Sequence, residues 1–339
     1  MVCKKVFGML TAAAVLFCSC TLGESSKKSG QLFAMDTYMT FTAWGENAQA
    51  GIDAASGRIV SLEKLLSVTD SGSEVFRADH SGGKAVDVSP ETAWLASFAV
   101  GMNTITEGAL DITLYPVLSE WGFTAEEYKV PDADRLSELL RNTGAQKISV
   151  SGNKLTVPEG MMIDFGAVAK GYAARLAAED MKAAGVEAAV LDLGGNVQTV
   201  GRKPDGSDWK IGIRDPAGEG IIGTLSVGEC AVVTSGGYER CFTSGGKTYH
   251  HILDPATGCP AESGLVSVTV IGEKGEYCDA LSTALFVLGA DKARELWKKL
   301  GDFEYAALTD KNELILSKGI SESFTPDESH SSLKVTVAE

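Results

Sequence analysis

The sequence predicts an α+β fold with mainly antiparallel sheet, and three observations carry that prediction. From Glu187 onward, strand-like segments follow one another with connections too short for crossover helices. Helical periodicity is confined to separate stretches on either side of that run. No internal repeat, no Walker loop and no GxGxxG between a strand and a helix points to a solenoid or a nucleotide-binding doubly wound fold. At 339 residues, 44% of them hydrophobic, the chain can bury one large two-lobed domain or two ordinary ones.

The chain opens with "MVCKKVFGMLTAAAVLFCSC": two lysines, an apolar run from Val6 to Phe17, then small residues and cysteine. That run is too short to span a bilayer and has the layout of a secretory signal. "LFCSC" has the form of a relaxed lipoprotein signal with Cys20 as the lipidated residue, and the polar "TLGESSKKSG" after it reads as a tether. Gln31 to Trp44, "QLFAMDTYMTFTAW", alternates loosely and is rich in Thr and aromatics, so it reads as a strand. Ile52, Ala55, Ile59, Leu62 and Leu66 then recur at helical spacing.

A second helix has Ser89 as cap, Pro90 at its first position, Leu95, Phe98, Met102 and Ile105 on one face, and Gly108 as its stop. A third lies around Leu136 to Leu140, before a Gly-turned hairpin, "KISVSGNKLTVP". Val168, Tyr172 and Leu176 place a helix from just after Asp164 to about Ala184, closed by Gly185. Strands follow in "EAAVLDLGG", "VQTVG", "WKIGIRDP", "IGTLSVGECAVVTS", "YERCFTSGGKTYHHILDP" and "LVSVTVIG". A helix pair covers roughly Tyr277 to Leu300, "YAALTDKNELILS" makes a last hairpin, and "SESFTPDESHSS" reads as a polar tail.

Formal net charge is -15, and no Lys/Arg-rich run follows the first few residues. That excludes nucleic acid as an expected partner. A polyanionic small molecule would need a metal ion or backbone N–H groups to hold it. No CxxC pair is present, which argues against a zinc ribbon, and pairing among Cys230, Cys241, Cys259 and Cys278 stays open.

Several motifs bear chemistry. In "DALSTALFVLG", Asp279, Ser282 and Thr283 fall at i, i+3 and i+4 on one face of an otherwise apolar helix. They either complement their own helix start and preceding turn or present oxygen ligands to a hard cation such as Mg2+. In "DFGAVAKG", Asp164 and Lys170 make an ordinary cap with a solvated lysine or a ligand-binding pair. Asp111, in "TEGALDITLYPV", is a structural buried carboxylate or a ligand contact. Ser235 and Tyr238 in "TSGGYER" are possible contacts. His250 and His251 point to opposite faces of an extended segment, so only one of them reaches any one pocket.

In order, "AMDTYMT", "TEGALDITLYPVLSEWGF", "IDFGAVAKGYAAR", "AVLDLGGNVQTVG", "WKIGIRDP", "VVTSGGYER", "HHILDPATGCP" and "DALSTALFVLG" resemble the ApbE-like FAD:protein FMN transferases. The resemblance implies a two-lobed T-fold-like architecture with antiparallel sheets, flanking helices and an FAD cleft between the lobes. It implies that FAD is the substrate, Mg2+ the cofactor, and that FMN moves to a Ser or Thr hydroxyl while AMP leaves. By matched motif, Asp279, Thr283, neighbouring Ser282 and the Ala167 carbonyl would hold the metal. Met35, Ala109, Leu110, Asp111, Asp164, Lys170, Tyr238 and Ile252 would contact FAD, and His251 would be the base or orient the acceptor. The implied partner is an exported flavin-accepting protein such as a redox-complex subunit.

Together with the signal, this divides the chain into a lipoprotein signal over 1–19, a tether over 20–30, the flavin transferase domain over 31–318 and a polar tail over 319–339. The mature protein would sit lipid-anchored on a bacterial membrane, facing the periplasm. Two positions depart from the family pattern. Val68 and Thr69 stand where an aromatic residue often follows the first helix, and Gly237 replaces the acid of the "SGDY" type of motif. Weaker ring stacking makes hydrolysis of FAD to FMN and AMP the alternative activity, with a flavin-binding lipoprotein lacking turnover as the third reading.

Overall fold

The computed structural model describes residues 26–125, 127–218 and 220–339; the signal segment and Cys20 lie outside them. The first correction is at the start. The segment expected as one strand is a hairpin of β1 (Lys27–Ala34) and β2 (Thr37–Trp44), paired antiparallel along its whole length. Its two turn residues, Met35 and Asp36, both have positive φ, 49° and 57°, the conformation a two-residue hairpin needs. The Met35 N–H donates to the Glu63 carboxylate at 2.6 Å and pins the turn. Residues 27–30, expected as tether, therefore belong to the sheet.

The helix α1 (Ala48–Leu66) buries the apolar stripe read from its spacing. After α2 (Glu74–Asp79) and β3 (Val86–Asp87), α3 (Pro90–Ile105) is capped as expected, with the Ser89 hydroxyl accepting the Thr92 N–H. Short helices α4 (Tyr115–Glu120) and α5 (Ala133–Leu140) lead to the hairpin β4 (Ser149–Ser151) and β5 (Lys154–Thr156), to which β3 adds a third strand. The helix expected from Asp164 starts later, as α6 (Ala169–Ala183). Asp164 instead folds its side chain onto the Gly166 N–H at 2.8 Å, a local turn that competes with the helix.

The strand run resolves into β6 (Ala188–Leu193), β7 (Asn196–Val200), β8 (Trp209–Arg214), β9 (Ile221–Val227), β10 (Ala231–Gly236), the hairpin β11 (Cys241–Ser244) and β12 (Lys247–His250), and β13 (Leu265–Gly272). The expected helix pair is α7 (Gly275–Leu300), broken at Gly289, whose φ of 79° and ψ of 171° no helix contains. The hairpin β14 (Glu304–Thr309) and β15 (Glu313–Ser317) follows.

Residues 319–339 are not a free tail. There β16 (Phe324–Pro326) pairs with β9, and β17 (Lys334–Ala338) runs parallel to β15. Phe324 and Ala338 are buried, and backbone pairing at a sheet edge makes up for the polar composition.

The main sheet has nine strands in the order β1-β2-β6-β7-β10-β13-β14-β15-β17, antiparallel except at the last pair. One face packs on α1, α6 and α7 around Phe41, Ile59, Phe165 and Phe286, and α3, lying on the small β3–β5–β4 sheet, joins the same core through Leu95. The other meets the β16-β9-β8 sheet through Trp209, Ile213, Leu225 and Phe324. A smaller core around Trp121, Phe123, Leu136 and Leu253 joins α4 and α5 to the β11–β12 hairpin. Where α6 crosses α7, backbone meets backbone: a Cβ on Gly171 would lie 2.1 Å from the Gly275 carbonyl oxygen.

Candidate active site

A cleft of about 1230 Å³ opens where these packing units meet. Its volume exceeds the usual few hundred to 1,000 Å³ of a drug-sized pocket and suits an extended ligand. Met35, Ala109, Leu110, Asp111, Asp164, Ala167, Lys170, Tyr238, His251, Ile252, Asp279 and Thr283 all line it. Segments scattered from the first hairpin to α7 thus converge on one space.

The corner between α6 and α7 is built from oxygen atoms. Asp279 is only 3% exposed, and its Oδ2 accepts the Gly171 N–H at 2.9 Å. It therefore complements the start of α6 rather than the start of its own helix, and the Gly171–Gly275 contact is what lets it reach. The Thr283 hydroxyl lies 3.2 Å from the Ser235 hydroxyl. Ala167, in the turn that enters α6, faces the same space.

Ser282 is the exception among the expected ligands. It is fully buried, its hydroxyl donates to the Asp279 carbonyl at 2.9 Å and it lies 2.8 Å from the Ser235 hydroxyl, outside the cleft lining. Sharing a helix face with Asp279 does not give it a free lone pair. The Asp279 carboxylate and Thr283 hydroxyl, with the Ala167 backbone lining the same cleft, offer oxygen donors of the kind that suit a hard cation. Among the described residues no group of three or more His, Cys, Asp or Glu side chains is placed to hold a metal ion.

Asp111 resolves toward structure. Its Oδ1 accepts from the Thr113 N–H at 2.8 Å and the Thr113 hydroxyl at 2.6 Å, while Oδ2 accepts the Ala145 N–H at 3.3 Å. The carboxylate fixes the loop that displays Ala109 and Leu110 along the wall. Asp164 lines the cleft with its carboxyl pushed above the usual range by burial, an effect that Lys170 and Arg240 oppose. Lys170 rests on the Gly166 carbonyl at 3.3 Å.

The two histidines separate as alternation requires. His251 lines the cleft, whereas His250 packs edge-on against Phe286 at 5.3 Å, with its Nε2 3.2 Å from the Ala261 carbonyl. The His251 Nδ1 lies 3.3 Å from the Arg240 carbonyl, an acceptor only, so Nδ1 carries the proton and Nε2 is the unprotonated nitrogen. Burial, with Arg240 and Lys170 nearby, lowers the His251 pKa to about 4. The ring is neutral at physiological pH.

Sequence reasoning does not assign Arg214, Glu239 or Arg240, which also line the cleft, although all three lie inside quoted motifs. Arg214 covers the Tyr238 ring at 5.5 Å. Burial, reinforced by Glu239, pushes the Tyr238 phenol up to about 12, so it stays a neutral hydrogen-bonding group. Nothing in periodicity distinguishes such residues from solvated ones; only the fold brings them to the cleft.

Known proteins are similar to this chain in sequence and fold. The model of the ApbE family matches residues 35–307. The FAD:protein FMN transferase of Klebsiella pneumoniae (strain 342) is 33% identical over 284 residues, covering 81% of this chain and 88% of that protein. That of Haemophilus influenzae is 32% identical over 274 residues, covering 77% and 78%. The crystal structure of the ApbE protein from Thermotoga maritima has a TM-score of 0.79 at 30% identity, over 91% of this chain and 99% of that one. The apo form of Pseudomonas stutzeri flavinyl transferase ApbE gives 0.76 at 28% identity, over 91% and 97%. The oxygen-rich helix corner, the single cleft-facing histidine and these matches lead to one conclusion: the chain belongs to the ApbE family and is a flavin-transferring enzyme.

Proposed function

We propose that this enzyme moves FMN from FAD to a Ser or Thr hydroxyl of an exported protein in an Mg2+-dependent reaction, releasing AMP. The observation that carries this reading is the convergence of eleven expected side chains and the Ala167 backbone on one cleft. Asp279, Thr283 and the Ala167 carbonyl would hold Mg2+, which when bound supplies charge neutralisation to the phosphoanhydride. Lys170 and Arg240 add fixed positive charge to the same cleft, so an acidic protein can accept a dinucleotide pyrophosphate.

The acceptor oxygen forms a bond to the phosphorus of the FMN half, the anhydride bond breaks, and AMP departs with its electron pair. The hydroxyl proton goes to the His251 Nε2, the free nitrogen of the ring. The Asp164 turn and the Ala109–Asp111 loop shape the wall along which FAD lies. Mature protein lipidated at Cys20 and facing the periplasm would meet exported acceptors; the signal layout supports this part of the reading.

Hydrolysis of FAD is the second reading, favoured by Val68 and Thr69, small residues on the cleft wall that offer no ring to stack on flavin or adenine. Incubation with FAD, Mg2+ and an acceptor carrying a flavinylation motif, followed by intact mass, separates the two. An acceptor gaining one FMN is the expected result; AMP release equal with and without acceptor, and no adduct, selects hydrolysis.

A further inference from the structure

One half-buried carboxylate beside the cleft is used by none of this chemistry. Asp79 closes α2, and its Oδ1 accepts the Ile163 N–H at 3.0 Å, across 84 residues of sequence, immediately before Asp164. Its other oxygen, Oδ2, is buried with no hydrogen-bond partner. The Asp164 N–H itself donates to the Ile112 carbonyl at 2.7 Å, so the turn that displays Asp164, Gly166 and Ala167 hangs from two points, Ile112 and Asp79.

We propose that Asp79 is a positioning residue for FAD binding, holding the Asp164 turn through Ile163 while its unpartnered oxygen carries a proton. The inference rests on Asp164 contacting FAD. A protonated carboxyl offers the same two groups as an amide: a carbonyl oxygen for the Ile163 N–H and a donor beside it. An ionised carboxylate there would sit buried, unpaired and near Asp164, which is costly.

The electrostatics agree with this geometry. Burial, with Asp164 adding to it and the Ile163 N–H opposing it, raises the Asp79 pKa to about 7. Burial, with Asp164, Asp79 and Asp36 on the hairpin turn adding to it, also pushes up the Tyr115 phenol on α4, so these acidic groups lie near one another at one end of the cleft. The charged groups on its own helix are engaged elsewhere. Arg77 donates to the Ser73 carbonyl at 3.2 Å, and Glu74 accepts from Ser89. His80, the next residue, has its Nδ1 2.8 Å from the Phe76 carbonyl.

The sign follows. The folded-state value lies above that of a free Asp, so the neutral form predominates below about pH 7 and a buried negative charge appears above it. That charge repels Asp164 and the pyrophosphate together. FAD affinity therefore falls as pH rises through 7, by on the order of 3- to 10-fold, the effect of one added charge at an effective dielectric constant near 20.

The test is FAD binding by flavin fluorescence between pH 6 and 8, on full-length folded protein. Asp79→Asn, which copies the neutral acid, is expected to keep the wild-type affinity of pH 6 and to lose the slope. Asp79→Ala, which drops the Ile163 contact, weakens FAD binding about tenfold at every pH. A control, His80→Gln, keeps the wild-type slope. An Asp79→Asn variant that retains the slope overturns the proposal, as does a flat wild-type profile. Asp164→Ala separates this from the underlying reading: if it leaves FAD affinity intact, the Asp164 contact is wrong; if it abolishes affinity while both Asp79 variants behave as wild type, only the positioning role fails.

Discussion

On one wall of the cleft, α6 and α7 meet backbone to backbone and set Asp279, Ser282 and Ser235 into a closed hydrogen-bond network. Elsewhere on the cleft, His251 follows a two-stranded ribbon outside the main sheet, whose residues are largely exposed and whose rings stack on one another. Phe242 lies 5.1 Å from Tyr128 and 5.3 Å from Tyr249, and Phe123 stands edge-on to His251 at 6.4 Å. The contrast teaches how labour is divided. Charge must be met by fixed oxygen atoms, whereas a base needs only to be delivered to the proton it takes. Rigid helix corners suit the first task, and a ribbon held by aromatic contacts suits the second.

The sharpest way to break this comparison is Asp279→Asn. Asn retains an oxygen for the Gly171 N–H, so the melting temperature should barely move, while loss of the charge proposed to hold the metal lowers FMN transfer by on the order of 10³-fold. A large fall in melting temperature would mean that the carboxylate charge at this corner holds the fold together instead of waiting for a cation.

Next in size is His251→Ala, expected to cut transfer by roughly 10²- to 10⁴-fold with FAD and Mg2+ affinity unchanged. His250→Ala should instead cost about 1–2 kcal/mol of stability through its lost Phe286 packing, and little activity. The pH profile adds a check. Because the His251 value is lowered to about 4, the imidazole remains a base down to that pH, so, beside any fall in FAD affinity above pH 7, the wild-type kcat/KM has an acid limb that falls as pH drops through about 4. His251→Ala lacks that limb.

The smallest effect probes the ribbon itself. Phe242→Ala removes two stacked contacts and should lower transfer several-fold while leaving FAD affinity within about twofold. Equal losses in transfer and affinity would show that the ribbon shapes the binding wall as well as carrying the base.

Much of the fold and the site is legible in the amino-acid order alone. The stripe of α1, the Ser89 cap and the short strand connections each follow from local rules, and alternation by itself allows only one histidine into the cleft. The misreadings have equally physical causes. Met35 and Asp36 turn the first hairpin without a glycine, so the turn has no sequence signature, and its support from Glu63 is a tertiary contact. Asp164 resembles the mouth of a helix because a capping residue and an Asx turn use the same side chain. Ser282 shares its helix face with Asp279, but spacing does not say which neighbour claims a hydroxyl. The last strand hides behind a polar stretch whose pairing is carried by backbone.

That last strand also decides how the molecule can be handled. With β1 and β17 at opposite edges of one nine-stranded sheet, the two ends of the folded chain are separated by eight strand spacings, roughly 40 Å measured along the sheet. A lipid at the N-terminal side and a tag or fused partner at Glu339 would therefore leave the domain from opposite flanks. Trimming the C-terminus would strip an edge from the sheet, so an affinity handle belongs beyond Glu339 and not in place of its last residues.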